Sequence, residues 1–240
     1  MGSPVRFPFG VTTVEKTNPL GMYGLPDPTE WHSYFTDFDN YVAADWTITN
    51  VGTTPTQALT DVDGGALLIT LSAADNDSSF LQKKGESFLP TSGKKCIFKA
   101  RFKVSDATQS DWVIGLQVTD TTPLAAAGDG VTDGIFFQKD DGDTNIDFYV
   151  QKDATTGQST STAIATAAAA DTFMTVAFYF DGARYIYTYM NDVLLTRVDL
   201  TTTLTTYLPD TELTVSFGVQ NGEAVAKTMT VDYIFAAQER

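Results

Sequence analysis

The chain has 240 residues, of which 42% are hydrophobic and 12% aromatic, enough for the core of one large domain or two small ones. Its formal net charge is −15, from 15 basic and 30 acidic side chains, which disfavours nucleic acid as a direct partner. A single cysteine excludes a disulfide framework and a cysteine metal site, and a single histidine excludes a multi-histidine metal site.

The first segment, at residues 2–28, differs in composition from the rest of the chain, since it is rich in Pro, Gly, Phe and Val: GSPVRFPFGVTTVEKTNPLGMYGLPDP. It lacks the basic start and apolar run of a secretory signal, and no stretch of the chain reaches the roughly 20 apolar residues of a membrane span. Pro4 and Pro8 hold the segment extended. Alternation then places four apolar side chains on one side: Val5, Phe7, Phe9 and Val11. We expect this arm, residues 1–32, to dock on a neighbouring subunit; the alternative is an edge strand on its own domain.

After the arm, predicted strands follow one another almost to the last residue. In CIFKARFKV, residues 96–104, buried positions alternate with mostly basic ones, which is typical of a strand with one solvated face. The same alternation predicts strands in ALLITL, WVIGLQV, NIDFYV, FMTVAFYF, LTVSFGV and TMTVDYIFA. Only STAIATAAAADTF can hold a turn or two of helix, and TDTTPLAAAGDGVTD is expected to be a long loop.

Short turns rich in Asp, Asn and Gly separate neighbouring strands. Asp181-Gly182 separates VAFYF from RYIYTYM, and Asn191-Asp192 separates that strand from VLLTRV. These pairs tolerate the positive φ of a tight hairpin. About a dozen antiparallel strands without a change of composition predict one all-β domain, a two-sheet antiparallel β-sandwich at residues 33–240.

No constellation of catalytic residues is recognisable in the chain. Glutamate is scarce, and several aspartates stand beside glycine in predicted turns. His32 lies in TEWHSYF, away from any nucleophile turn, and Cys96 is interpreted as a buried free thiol. The sequence therefore predicts a protein that is not an enzyme, with no catalytic residue and no cofactor.

The segment DGDTNID imitates the first half of a calcium-binding loop. Its oxygen-bearing side chains alternate: Asp141, Asp143, Asn145 and Asp147. Ile146 stands where such a loop requires glycine, and Lys152 stands where it requires glutamate. A hairpin turn without metal is the favoured interpretation, and an adventitious calcium site is the alternative.

The segment RYIYTYM places Tyr185, Tyr187 and Tyr189 on one face of a predicted strand. Rows of exposed tyrosines can stack against sugars, so these three are candidate sugar-binding residues. Because both faces of the segment are substantially apolar, a strand interior to the sandwich is the alternative.

The stretch VAFYFDGARYIYTYMNDVLL resembles a recurrent feature of the concanavalin A-like (laminin-G-like) jelly roll: three strands joined by an Asp-Gly turn and an Asn-Asp turn. The closing ELTVSFGVQNGEAVAKTMTVDYIFAAQER resembles the last strand pair of that superfamily, and DGIFFQKDDGDTNIDFYV also fits. The resemblance implies a jelly-roll sandwich over roughly residues 33–240. Glycosidases of the superfamily carry a strand of the form E-x-D-x-x-E, which NIDFYV and TVDYIF do not match.

With its arm and no secretory signal, the chain is similar to the jelly-roll decoration or cement proteins of tailed phages. The resemblance implies a structural virion protein, made in the host cytoplasm, that binds the outer surface of the phage head and clamps neighbouring major capsid subunits. A homo-oligomer, dimer or trimer, is expected on the capsid, and neither nucleic acid nor membrane is an expected partner. The residues expected to contact the capsid are Val5, Arg6, Phe7, Phe9 and Val11, with Arg6 pairing to an acidic groove.

Two other functions remain open at this point. One is a carbohydrate-binding, lectin-like module or a tail receptor-binding component that uses the three tyrosines of RYIYTYM. The other, less favoured, is a glycoside hydrolase or lyase of the same fold.

Overall fold

The computed structural model of the chain describes residues 29–124, 130–153 and 159–240. Within these ranges it contains fifteen strands. They are β1 Trp31–Thr36, β2 Trp46–Val51, β3 Thr56–Thr60, β4 Ala66–Thr70, β5 Ser78–Lys83, β6 Cys96–Val104, β7 Ser110–Gln117, β8 Gly134–Lys139, β9 Asn145–Gln151, β10 Ser159–Thr166, β11 Met174–Phe180, β12 Tyr185–Met190, β13 Val193–Asp199, β14 Thr214–Asn221 and β15 Thr228–Glu239. A 3-10 turn, Ala43–Asp45, and one short helix, α1 Leu204–Tyr207, complete the described elements. No helix in these ranges is long and apolar enough to cross a membrane.

The strands form two sheets, and the predicted antiparallel β-sandwich is confirmed. The eight-stranded sheet has the order β13-β12-β11-β6-β15-β4-β3, with β1 paired to β15 as well. The seven-stranded sheet has the order β10-β9-β8-β7-β14-β5-β2. Every neighbouring pair that we describe is antiparallel, as the short Asp, Asn and Gly turns predict.

Strand β1 ties the start of the described chain to its end. It pairs with β15 along its whole length, from Trp31 opposite Glu239 to Thr36 opposite Ile234. Residues 31 and 32 are therefore part of the sheet, two residues before the boundary expected from the sequence. The rest of the predicted arm, residues 1–28, lies outside the described residues.

The core lies between the sheets and follows the period-two pattern. In β6 the alternate residues Cys96, Phe98, Ala100, Phe102 and Val104 are at most 2% exposed, while those between them are half-buried. Aromatic rings meet across the core: Phe102 and Trp112, from different sheets, have ring centroids 4.9 Å apart in an edge-to-face arrangement. Burial of this apolar surface is the main favourable contribution to folding.

The turn prediction is confirmed and the helix prediction is wrong. Gly182, Asn191 and Asp192 have φ values of +77°, +49° and +63°, as tight hairpins require. Residues 159–166 in and before STAIATAAAADTF form β10, which pairs with β9 through a bulge, instead of a helix. Helix propensity is a weak preference, and pairing with β9 satisfies backbone groups that an open edge would leave exposed.

Candidate functional site

The three tyrosines predicted to bind sugars lie on the outer face of the eight-stranded sheet. On β12, Ile186 and Thr188 point into the core with 0% exposure, whereas Tyr185, Tyr187 and Tyr189 are half-buried. The alternation thus gives β12 one core face and one solvent-facing aromatic face. The strand lies inside the sheet, between β11 and β13, and within the described part of the chain its tyrosines stay half-exposed.

A fourth tyrosine, which the sequence analysis missed, joins this row. Tyr179 of β11 pairs directly opposite Tyr187, and their nearly parallel rings have centroids 6.1 Å apart. The Tyr185 and Tyr187 rings are also 6.1 Å apart, with planes inclined by 64°. We call Tyr179, Tyr185, Tyr187 and Tyr189 the tyrosine face. The signal that could have revealed Tyr179 is its place between the buried Phe178 and Phe180.

Two arginines border the tyrosine face. The guanidinium carbons of Arg184 and Arg197 lie 4.6 Å and 4.2 Å from the centroid of the Tyr185 ring. Arg197 is exposed on β13, directly opposite Tyr187 in the pairing register. Planar guanidinium groups beside rings provide several N–H donors next to a stacking surface.

The side of the tyrosine face nearest β6 carries charged pairs. Lys95 Nζ lies 3.0 Å from Glu239 Oε1, and Lys99 Nζ lies 2.5 Å from Asp192 Oδ1. Burial, the largest effect, raises the pKa of Tyr179, so its hydroxyl group stays protonated at neutral pH and can donate a hydrogen bond. The surface thus combines ring faces with hydrogen-bond donors and acceptors.

Asp181, in the turn beside this surface, has a structural role. Its Oδ1 accepts backbone N–H groups of Ala183, Arg184 and Tyr185 at 2.8, 2.8 and 3.0 Å. Burial acts in the opposite direction, but these three bonds keep the pKa of Asp181 below its usual value. The carboxylate fixes the β11–β12 hairpin and with it the orientation of Tyr185.

A loop of the chain lies on the outer face of the seven-stranded sheet. We call the described residues 118–124 and 130–133 of the connection between β7 and β8 the cover loop. Three buried glutamines of the sheet hold it. Gln117 Nε2 donates to Pro123 O at 3.1 Å, and Gln151 Nε2 donates to Val131 O at 2.5 Å. Gln82 donates to Val118 O at 3.0 Å and accepts the N–H of Asp120 at 2.9 Å.

A second apolar cluster lies between the cover loop, which contributes Val131, and the sheet. It consists of Phe80, Val113, Val131, Phe136 and Tyr149, each at most 4% exposed. The Phe136 and Tyr149 rings are stacked, with centroids 5.2 Å apart. Two glycines leave room for this layer, since a Cβ on either would lie 2.5 Å or less from the neighbouring aromatic residue: Gly115 below Phe136 and Gly218 below Phe80.

Few carboxylates are available on this outer face. No strand of the seven-stranded sheet contains a glutamate. Asp111 of β7 is 9% exposed, and burial, followed by the negative charge of Asp141, raises its pKa to about 7. Asp147 of β9 is engaged, because its Oδ1 accepts the N–H of Ala163 at 2.6 Å.

The raised pKa of Asp111 predicts a specific pH dependence of stability. In the unfolded chain this carboxyl group ionises near pH 3.8, whereas in the folded chain it keeps its proton up to about pH 7. Between these two pH values the folded state binds more protons than the unfolded state. Asp111 therefore contributes to the free energy of unfolding an amount that is fully present below pH 3.8 and is lost as the pH rises through about 7. We expect Asp111→Asn to remove that loss. Urea unfolding of the unchanged chain and of Asp111→Asn, at about pH 4 and about pH 8, measures this difference. Equal losses of stability in the two proteins would contradict the raised pKa of Asp111.

The DGDTNID segment forms the β8–β9 hairpin, as expected from the sequence. Asp143 Oδ1 accepts the N–H of Asn145 at 2.7 Å, and its Oδ2 accepts the Asn145 side-chain amide at 2.9 Å. Gly142 provides the positive φ of the turn, at +85°. Asp140, Asp143, Asn145 and Asp147 line one side of an open cleft of about 290 Å³.

The other singled-out residues have structural positions or lie outside the described ranges. His32 packs its ring on Phe88 with centroids 4.6 Å apart, and burial lowers its pKa. Cys96 is fully buried, and that burial raises its pKa to about 12, which confirms the buried thiol. The residues predicted to contact a capsid lie outside the described residues: Val5, Arg6, Phe7, Phe9 and Val11.

Comparison with known proteins identifies the fold. No family model and no curated protein sequence matches the chain. Among solved structures, the chain is similar to endo-1,3-beta-glucanase from Streptomyces sioyaensis, with a TM-score of 0.62, 14% identity, and coverage of 89% of this chain and 98% of that one. The chain is also similar to the Emp47p carbohydrate recognition domain, with a TM-score of 0.59, 12% identity, and coverage of 88% of this chain and 97% of that one. A third similar structure is endo-beta-1,4-glucuronan lyase from Trichoderma reesei, with a TM-score of 0.51, 11% identity, and coverage of 85% of this chain and 94% of that one.

The chain has the concanavalin A-like jelly-roll fold. This confirms the fold that the resemblance in the sequence implied. The match spans nearly the full length of the similar chains. These structures are carbohydrate-recognition domains and polysaccharide-active enzymes, and the comparisons give no support to the resemblance to phage decoration proteins. At these identities the likeness establishes the fold and leaves activity to the arrangement of particular residues.

Proposed function

We propose that the protein is a carbohydrate-binding, lectin-like domain and that the tyrosine face is its binding surface. The observation that carries the proposal is the solvent-facing row of Tyr179, Tyr187 and Tyr185, with two guanidinium groups beside it. The aromatic rings provide faces for the apolar C–H surfaces of sugar rings, while hydroxyl and guanidinium groups bind their oxygens. The jelly-roll fold shared with carbohydrate-recognition domains supports the same function.

The spacing of the rings favours a chain of sugars over a single sugar. Adjacent tyrosine rings stand 6.1 Å apart, Tyr179 and Tyr187 across two paired strands and Tyr187 and Tyr185 along β12, so neighbouring rings can contact neighbouring residues of one oligosaccharide. The sheet holds this row in place, because Tyr179 and Tyr187 lie on paired strands whose alternate side chains are buried. A preformed surface loses little conformational entropy on binding.

Glycan binding by the purified full chain tests this function. We expect saturable binding to polysaccharide fragments on a glycan array, followed by calorimetric titration with neutral beta-glucan and uronic-acid oligosaccharides. The two oligosaccharide classes distinguish stacking alone from stacking assisted by Arg184 and Arg197. Absence of binding to every glycan class would overturn the proposal.

A second candidate function is polysaccharide cleavage, and Asp111 is the observation that favours it. A carboxyl group with a pKa of about 7 in the folded protein is still partly protonated at neutral pH and suits a general acid. Two features oppose this function: the cover loop lies on the same outer face, and Asp147, the other aspartate within the described strands of that sheet, is engaged with Ala163. Turnover of a polysaccharide, abolished in Asp111→Asn, would favour the enzyme.

Capsid decoration, a homo-oligomer on the phage head and a virion location stay predictions from the sequence. They depend on the arm, whose residues 2–28 lie outside the described residues. Comparing the full chain with one lacking residues 2–28 in co-sedimentation with expanded empty heads tests them, and undiminished binding of the shortened chain would contradict the arm's role.

A further inference from the structure

Three side chains line up across neighbouring strands on the tyrosine face. Tyr179 of β11 pairs with Tyr187 of β12, and Tyr187 pairs in turn with Arg197 of β13. Directly paired residues of antiparallel strands project to the same side of the sheet, and neighbouring strands lie about 4.8 Å apart. The row therefore runs across the strands from two aromatic rings to a guanidinium group.

Tyr185 holds two guanidinium groups at this end of the row. The guanidinium carbons of Arg184 and Arg197 both lie within 4.6 Å of its ring centroid, at a distance where the π system attracts a cation. Asp181 also fixes the backbone that carries Arg184, because its Oδ1 accepts the N–H of that residue at 2.8 Å. Two cationic groups are thus held close together beside the stacking rings.

The donors of these two guanidinium groups are unused. Arg184 and Arg197 are exposed, and neither side chain forms an ion pair or a hydrogen bond with any residue that the structure describes. By contrast, Lys95 and Lys99 on the β6 side of the tyrosine face are already paired with carboxylates. In a chain with a net charge of −15, two neighbouring arginines without such partners are available to a ligand.

The carboxylates closest to these arginines in the sequence are engaged in their own turns. Asp199 Oδ1 accepts the hydroxyl and the backbone N–H of Thr201 at 2.5 and 2.9 Å. These bonds, the hydroxyl first, lower the pKa of Asp199, so the carboxylate is ionised at neutral pH without an ion pair to either arginine. Asp181 is likewise occupied by the backbone of the β11–β12 turn. An anionic ligand therefore displaces no internal ion pair.

We infer that the tyrosine face selects acidic oligosaccharides and that Arg184 and Arg197 bind the carboxylates of their uronic acid units. This inference rests on the proposed function, because it assigns a ligand class to the same surface. The rings of Tyr179 and Tyr187 contact the apolar faces of the sugars. Each planar guanidinium fork matches a carboxylate with two parallel N–H···O bonds, which a neutral hydroxymethyl group cannot accept in the same way.

Calorimetric titration of the full chain with two matched oligosaccharides tests this selectivity. One is a β-1,4-linked glucose hexamer, and the other is the same hexamer with every C6 hydroxymethyl group oxidised to a carboxylate. We expect the acidic hexamer to bind about tenfold more tightly, the gain that two exposed bidentate ion pairs give together. Arg184→Gln and Arg197→Gln should each weaken binding of the acidic hexamer by about threefold, and change binding of the neutral one by less than about twofold.

The matched control is Lys84→Gln, which removes the same unit of positive charge from an exposed residue that follows β5 in the other sheet. Its affinity for the acidic hexamer should be unchanged. Equal weakening in this control and in the arginine variants would overturn the inference, since net charge would then set the preference. An unchanged preference in both arginine variants would overturn it as well.

The outcomes separate this inference from the proposed function. Equal or tighter binding of the neutral hexamer would overturn the acidic preference and leave a carbohydrate-binding domain in place. Absence of binding to both hexamers would also overturn the inference, whereas the proposed function fails only where every glycan class on the array fails to bind.

Discussion

Tyr187→Ala is expected to weaken glycan binding by roughly tenfold or more, because central aromatic residues dominate the affinity of such surfaces. Tyr187 contacts both Tyr179 and Tyr185, so its loss also removes the neighbours' support. Its ring is half-buried on the outside of the sheet, so the melting temperature should fall by less than about 4 °C. Calorimetric titration with the best glycan from the array, together with thermal unfolding, measures both effects.

The matched control for this variant is Tyr233→Ala. Tyr233 lies on the same sheet, opposite Arg101, and is also half-buried, but it is outside the tyrosine face. Glycan affinity should be unchanged in this control. Equal weakening in the two variants would indicate a general effect on the sheet and would contradict a binding role for Tyr187.

Phe136→Ala is expected to lower the free energy of unfolding by about 3–5 kcal/mol, the usual range for emptying a buried phenylalanine site. Phe136 is 1% exposed and stacks on Tyr149 beneath the cover loop. The neighbouring strands cannot collapse fully into the space, because the sheet backbone at Gly115 is fixed by its pairing on both sides. Urea unfolding measures the loss.

The control for Phe136→Ala is Phe35→Ala, which replaces a phenylalanine that is 60% exposed. Its expected change is within about 0.5 kcal/mol. A loss below about 1 kcal/mol in Phe136→Ala would contradict the close packing of the cover loop on the sheet. The folded fraction of Phe136→Ala should bind glycans with unchanged affinity, since the cluster lies on the other sheet from the tyrosine face.

Much of the fold is predictable because its signals are local. The period-two pattern of CIFKARFKV identifies β6 and its core face, and the φ values at Gly182 and Asn191 match the expected turns. Tyr185, Tyr187 and Tyr189 follow from the same alternation. The register that brings Tyr179 opposite Tyr187 depends on pairing between strands, which a single strand's pattern does not give.

Features that depend on tertiary contacts escape prediction from the sequence. Glutamine in a sequence normally indicates a side chain exposed to solvent. Three glutamines are nevertheless at most 1% exposed, because they hold the cover loop: Gln82, Gln117 and Gln151. Lys139 is buried at the sandwich end, where its Nζ donates to the carbonyl oxygens of Thr108 and Ser110 at 2.6 and 2.9 Å. Such partners compensate for burial of a charge but leave no local signal in the chain.

The cluster of Asp133, Asp153 and Asp210 illustrates the same limit. Positions 133, 153 and 210 share no motif spacing, whereas DGDTNID resembles a calcium loop and forms hydrogen bonds within its own turn. Sheet pairing brings Asp133 and Asp153 together, and the α1–β14 connection adds Asp210. Only the folded arrangement shows which carboxylates lie close together.

Carbon-13 labelling of tyrosine rings, followed by NMR during titration with the bound oligosaccharide, tests most directly where the glycan binds. The tyrosine face predicts saturable shifts for Tyr179, Tyr185 and Tyr187. The resonance of Tyr149, buried beneath the cover loop, should stay unchanged. Shifts at Tyr149 with none on β11 and β12 would contradict the account and place the glycan on the other sheet.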